Sequence, residues 1–184
     1  MLIIKLVIFG QSGSGKSTIA RIVQNYYEKQ RKTVQVVKLA SPLYEIQNHV
    51  YKKLLLPYKE GAQDQILLEN LATNIRRISP NYLVETFMEK VNNSEANVII
   101  NDDLRDYHTD YPRLTDSGFI FIKVSCKEEI RQSRLKSRDD LSIVQNSKTT
   151  KGIQDFLYHY HIDNSNLSLL QLESSISDML EGIK

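Results

Sequence analysis

Leu2 to Ser17 reads LIIKLVIFGQSGSGKS, an apolar run that breaks into a glycine-rich turn. Gly10, Gly15, Lys16 and Ser17 fit the spacing G-x-x-x-x-G-K-[ST], with Ser12, Gly13 and Ser14 inside the turn and Thr18 just after it. The stretch before Gly10 is apolar apart from Lys5, as a strand buried on both faces requires. Glycines let the backbone turn tightly and present a row of N–H groups to phosphate oxygens. The positive end of the following helix adds to the same cradle. In that geometry Lys16 reaches the β- and γ-phosphates and the Ser17 hydroxyl ligates Mg²⁺. A glycine-rich turn alone would be only a flexible loop. With a strand before it and a helix after it, the stretch predicts a nucleoside-triphosphate site.

The chain has 184 residues, 41% of them hydrophobic, which suits one domain spanning 1–184 with a sizeable core. A net charge of +2 gives no footprint for nucleic-acid backbone. The single cysteine, Cys126, ends an apolar run and is expected as a small buried hydrophobe in a reducing compartment. The N-terminal run is too short to span a membrane and lacks a small-residue cleavage site. Together these features predict a cytoplasmic protein with no membrane partner. Homodimerisation is left open. The four histidines show no metal-ligand spacing.

Downstream of Ser17 the pattern turns helical, with Ile19, Ile22, Val23 and Tyr26 at i, i+3, i+4, i+7. Residues 33–40 (TVQVVKLA) read as a second strand, completing a right-handed βαβ unit. Pro42 fits the first turn of a helix capped by Ser41 and ended by Pro57. A further helix over 66–78 turns Leu67, Leu71, Ile75 and Ile78 inward. Ser79-Pro80 caps the next, with Val84, Phe87, Met88 and Val91 on its core face. Strands are predicted at 97–100, 119–126 and 156–162, mostly loop or a short helix at 104–118, and a closing amphipathic helix from Leu169. Strands alternating with helices predict a three-layer α/β domain whose ligands bind outside the carboxyl ends of the strands.

Asp102 and Asp103 fall at the end of an apolar strand, where a carboxylate can supply a hard oxygen to Mg²⁺. Asp102 is the first choice for the metal, and Asp103 can orient an acceptor. Either can instead serve only to cap the next turn. Arg105 follows closely, suited to a bidentate phosphate contact or to a surface salt bridge. Arg131, Arg134 and Arg138 share one helix face, either as a solvated basic face or as charge aimed at a triphosphate. The polar stretch after them favours a lid over 131–152. Arg76 and Arg77 sit at a helix C-terminus, which favours cations regardless of function, though one can hold an acceptor phosphate. Tyr44 or Tyr51 can stack on a base.

Five stretches resemble the P-loop nucleoside and nucleotide monophosphate kinases, chiefly the deoxynucleoside monophosphate kinases, with dephospho-CoA kinase a cousin. They are GQSGSGKST at 10–18, KLASPLYEIQ at 38–47, VIINDDLR at 98–105, RLKSR at 134–138 and HIDNSNLSLLQL at 161–172. The resemblance implies a five-stranded parallel sheet in the order 2-3-1-4-5 with a helical lid. It implies ATP and Mg²⁺, and a small phosphorylated nucleotide acceptor held by helices in 41–91, with Ser41 and Tyr44 among its contacts. Arg134 and Arg138 would act on the transferred phosphoryl group, and Asn164 would touch adenine. The core would comprise 1–40, 97–130 and 153–184. A GTP-dependent switch is disfavoured, since neither D-x-x-G nor N-K-x-D occurs in the expected arrangement.

Overall fold

The computed structural model describes residues 3–57, 59, 61–137, 140–142 and 152–183. Five strands, β1 (Ile4–Phe9), β2 (Val34–Val36), β3 (Val98–Asn101), β4 (Ile120–Ser125) and β5 (Tyr160–Asp163), pair in parallel in the order β2-β3-β1-β4-β5. This is the expected α/β order. The described helices are α1 (Lys16–Lys29), α2 (Ser41–Lys53), α3 (Gln65–Ile78), α4 (Tyr82–Asn92), α5 (Asp110–Asp116), α6 (Glu128–Lys136) and α7 (Leu169–Glu181).

Strand β1 takes the centre because it is apolar on both faces. Leu6 and Ile8 pack in a layer with Ile19 and Val23 of α1 and Ile176 of α7. Val7 and Phe9 pack in the opposite layer with Val84 and Phe87 of α4 and Phe121 of β4. This two-residue alternation, with Leu6 to Phe9 all 0% exposed, produces three layers around one sheet. It also fixes where β1 ends, and therefore where the phosphate loop begins. Among the described residues no helix is long and apolar enough to cross a membrane.

Several boundaries differ from expectation, each for a local reason. Only Val34–Val36 of 33–40 is strand, because residues 38–40 bend away to meet Asp103. The cap of α2 is Ala40, while Ser41 lies inside the first turn and donates its hydroxyl to the Lys38 carbonyl at 2.9 Å. That helix stops at Lys53, well before Pro57. Asp64 caps α3 by accepting from the Leu67 amide at 3.1 Å. No residue of α3 is fully buried and Ile78 is 74% exposed; the helix turns Leu68, Ala72 and Arg76 to a cavity, and the expected stripe of Leu67, Leu71, Ile75 and Ile78 does not line it. Asn81, not Ser79, caps α4. Strand β5 starts only at Tyr160, because Phe156 leaves the sheet to stack with Tyr111, their ring centroids 4.8 Å apart. Cys126 is half-buried rather than buried.

Candidate active site

The loop after β1 turns on glycines that no other residue could replace without strain. Gly15 caps α1 at φ 102°, and a Cβ there would sit 2.2 Å from Asn164 Nδ2. Gly13, at φ 84°, would bring a Cβ within 2.8 Å of the Arg131 carbonyl oxygen. Among the described residues the amides of Gly13, Gly15 and Ser17 have no hydrogen-bond partner. The Ser14 hydroxyl is likewise buried and unpartnered. Unsatisfied N–H groups at a helix start form an anion-binding concavity. Lys16 donates to the Gln11 carbonyl at 2.9 Å, folding back over the turn.

The carbonyls of this loop are held from outside. Arg131 donates to Ser12 O at 3.1 Å and pairs with Glu128 at 2.5 Å. Hydrogen bonds from Arg131 and Gln132 hold the Glu128 carboxyl down at about 2. Arg134 donates to Ser14 O and to Asn164 O, each at 3.3 Å. The buried Asn164 amide donates to Ser14 O at 2.9 Å. Residues expected on the triphosphate and on adenine thus meet the phosphate-loop backbone here. Turning those carbonyls outward leaves the amides facing inward. Gly10 begins the loop, packed so that a Cβ would lie 2.2 Å from Val124 O. Arg138 and half of the expected lid lie outside the described residues. Its residues 140–142 run along the start of α3, where Ser142 donates to Asp64 at 2.5 Å.

The two aspartates after β3 do different things. Asp103 accepts from the amides of Leu39 and Ala40 at 2.9 and 3.0 Å and from the Asn101 side chain at 2.6 Å. It fixes the turn after β2, where orientation of an acceptor had been expected. Asp102 is buried, its side chain 2% exposed, and pairs with Lys38. Arg105 reaches the phosphate loop, donating to Ser12 Oγ at 3.1 Å. The sequence reading missed Lys38, although it sits past the carboxyl end of β2, where ligands of such sheets gather.

Lys16, Ser17, Lys38, Asp102 and Arg105 line one cavity of about 480 Å³, a size typical of small-molecule sites. Its other end lies between α3 and the stretch leading into α5. There Arg76 pairs with the buried Asp110 and lies 3.7 Å from Asp106. Burial pushes the Asp110 carboxyl up to about 6 despite the Arg76 charge. Burial also raises Asp106, but hydrogen bonds from Thr109 and the charge of Arg76 outweigh it and leave it lowered. Tyr44 lines the cavity, whereas Ser41 and the exposed Arg77 do not. Tyr51 instead donates its hydroxyl to Asp64 at 2.8 Å. Tyr107 and Asp106 are wall residues that no motif marked.

The fold is shared with solved structures that include kinases of small molecules. TT1252 from Thermus thermophilus superposes with a TM-score of 0.58 at 17% identity, covering 100% of both chains. Shikimate kinase from Acinetobacter baumannii, solved with shikimate, gives 0.53 at 12% identity over 99% of this chain and 96% of its own. The Mycobacterium tuberculosis APS kinase, solved with AMPPNP and APS, gives 0.51 at 14% identity over 99% and 100%. These similarities define an α/β P-loop kinase fold. No family model matches the chain, and no curated protein matches it in sequence.

Proposed function

We propose that this chain is an ATP-dependent kinase that transfers the γ-phosphoryl group to a nucleoside monophosphate, giving the diphosphate and ADP. The observation that carries this reading is the single cavity running from Lys16 and Ser17, past Asp102 and Arg105, to Arg76. A triphosphate gripped by residues 10–17 would direct its terminal phosphoryl group into that space. The APS kinase with this fold, solved with AMPPNP and APS, illustrates a donor and an acceptor held together.

Phosphoryl transfer leaves the protein mainly positioning and charge stabilisation. Lys16 neutralises charge on the transferring group, while the loop amides orient the donor. Arg105, anchored on Ser12 and lining the cavity, would hold the acceptor phosphate. Ser17 and Asp102 offer hard oxygens to one cavity, a donor set that fits Mg²⁺. Bound there, the ion would supply charge neutralisation on the bridging oxygens. A monophosphate is already an anion at neutral pH, so no general base is needed. A hydroxyl acceptor would need one.

ADP release measured against ribo- and deoxynucleoside monophosphates tests the reading. We expect Mg²⁺-dependent turnover with at least one of them, abolished or steeply reduced in Lys16→Ala with the fold intact. No turnover with any monophosphate, or an unimpaired Lys16→Ala, refutes it. ATP hydrolysis indifferent to every acceptor would point to a regulatory nucleotide-binding module instead.

A further inference from the structure

We propose that the far wall of the cavity, built by Tyr107, Arg76 and Asp106, is a nucleobase subsite that selects guanine. The inference rests on the monophosphate-kinase reading and names which acceptor that site prefers.

The cavity is polarised along its length. Its phosphate-loop end holds Lys16, Lys38 and Arg105, partly offset by Asp102 and Asp103. Its far end holds Arg76 against Asp106 and Asp110. A ligand matched to this gradient carries an anion at one end and a surplus of N–H donors at the other.

The far end is also rigid. The Tyr107 ring lies parallel to Tyr111 and Phe156, with centroids 5.6 Å from each and planes within 9°. It remains 40% exposed and lines the cavity, so a braced flat face is available for stacking. Asp106 Oδ1 accepts from the His108 amide at 3.1 Å and from the Thr109 amide and hydroxyl at 2.6 Å. Its Oδ2 accepts no hydrogen bond among the described residues and lies 3.7 Å from Arg76 Nε. One carboxylate oxygen is therefore locked and the other presented. Arg76 is fixed through Nη2 by Asp110, and its Nε is buried without a hydrogen-bond partner.

These groups offer a cationic donor beside an open carboxylate acceptor. Guanine presents a carbonyl oxygen followed by a ring N–H and an amino group on one edge. The carbonyl suits the Arg76 guanidinium, and the two adjacent donors suit Asp106 within an acidic wall. Thymine offers one donor between two carbonyls. Adenine offers no carbonyl, and cytosine places its amino group beside two acceptors.

The test is kcat/KM for dGMP, dIMP, dAMP, dCMP and dTMP at saturating ATP, with monophosphate affinities by calorimetry on the whole protein. Expected is a preference for dGMP of roughly 10- to 100-fold over the other three natural bases. dIMP, which lacks the 2-amino group, should fall between. Tyr107→Ala should raise KM for every base, whereas Asp106→Asn, which keeps the Oδ1 acceptor, should erode the guanine preference selectively. Comparable kcat/KM across bases, a preference for another base, or an Asp106→Asn enzyme with wild-type discrimination overturns the proposal and leaves the kinase reading standing. Neither turnover nor binding of any monophosphate overturns both.

Discussion

Asn164 at the end of β5 donates its side-chain amide to the Ser14 carbonyl at 2.9 Å, joining groups 150 positions apart in the chain. The last strand therefore braces the turn that follows the first. Asn164→Asp should remove the donor and set a carboxylate against a carbonyl oxygen. We expect a loss of about 1–3 kcal/mol in urea unfolding together with a raised KM for ATP. A variant with unchanged stability and unchanged KM would show that the loop is held by other contacts alone.

Gly15 meets the same amide from the other side. Gly15→Ala combines a left-handed φ of 102° with a Cβ placed 2.2 Å from Asn164 Nδ2. ATP binding should be lost in calorimetry. Removing the obstacle in Gly15→Ala/Asn164→Ala should restore part of it, with the backbone strain and the loss of the Asn164 brace remaining. The two substitutions should thus be strongly non-additive. Equal loss in the single and double variants would assign the whole effect to φ.

Lys38 and Asp102 form a pair with one buried partner, their side chains 35% and 2% exposed. Breaking a fully buried pair costs about 3–5 kcal/mol, so with Lys38 a third exposed Lys38→Met should lie at or below the low end. Lys38→Met/Asp102→Asn should be more stable than Lys38→Met alone, since no buried charge is stranded. Denaturant titrations of wild type, the two single variants and the double variant measure this. A double variant as unstable as the sum of its parts would mean that the two groups are uncoupled.

The phosphate loop and the strands were legible because each has a local signature, whereas the sheet order followed from the resemblance. Gly10 to Ser17 has fixed spacing, and strands such as 119–126 are dense in β-branched and aromatic residues. What escaped depends on long-range placement. Lys38 gains meaning only from Asp102, 64 positions away, and a lone lysine after a strand carries no pattern. Asp103 looked like chemistry because it follows an apolar strand, yet its oxygens are spent on the amides of residues 39 and 40. Arg134 was readable as a phosphate ligand by charge, but its direction follows from how α6 packs on Gly13 and Asn164. Periodicity gave α3 an inward stripe of Leu67, Leu71, Ile75 and Ile78 without revealing that the neighbouring face, with Leu68, Ala72 and Arg76, lines a cavity. Tyr107 belongs to no motif, and only the rings of Tyr111 and Phe156 make it a platform.

Asp110 should leave a signature in the pH dependence of stability. Burial raises its carboxyl from 3.8 to about 6 in the folded protein. Between those values the folded state holds a proton that the unfolded chain has released. Stability from this group is therefore highest below about pH 4 and falls as pH rises through about 6. The contribution is at most about 3 kcal/mol. Asp64 and Asp163, held below their ordinary values by hydrogen bonds from Ser142 and Ser165 that outweigh desolvation, have the opposite sign. Their contribution is present at neutral pH and lost on acidification. Because they occur in both proteins, comparing wild type with Asp110→Asn largely cancels them. Asparagine keeps an acceptor for Arg76 and cannot ionise, so the variant should gain stability relative to wild type between pH 4 and 7 in urea unfolding. Parallel stability curves across that range would mean that Asp110 is ionised throughout, with the Arg76 charge fully offsetting its burial.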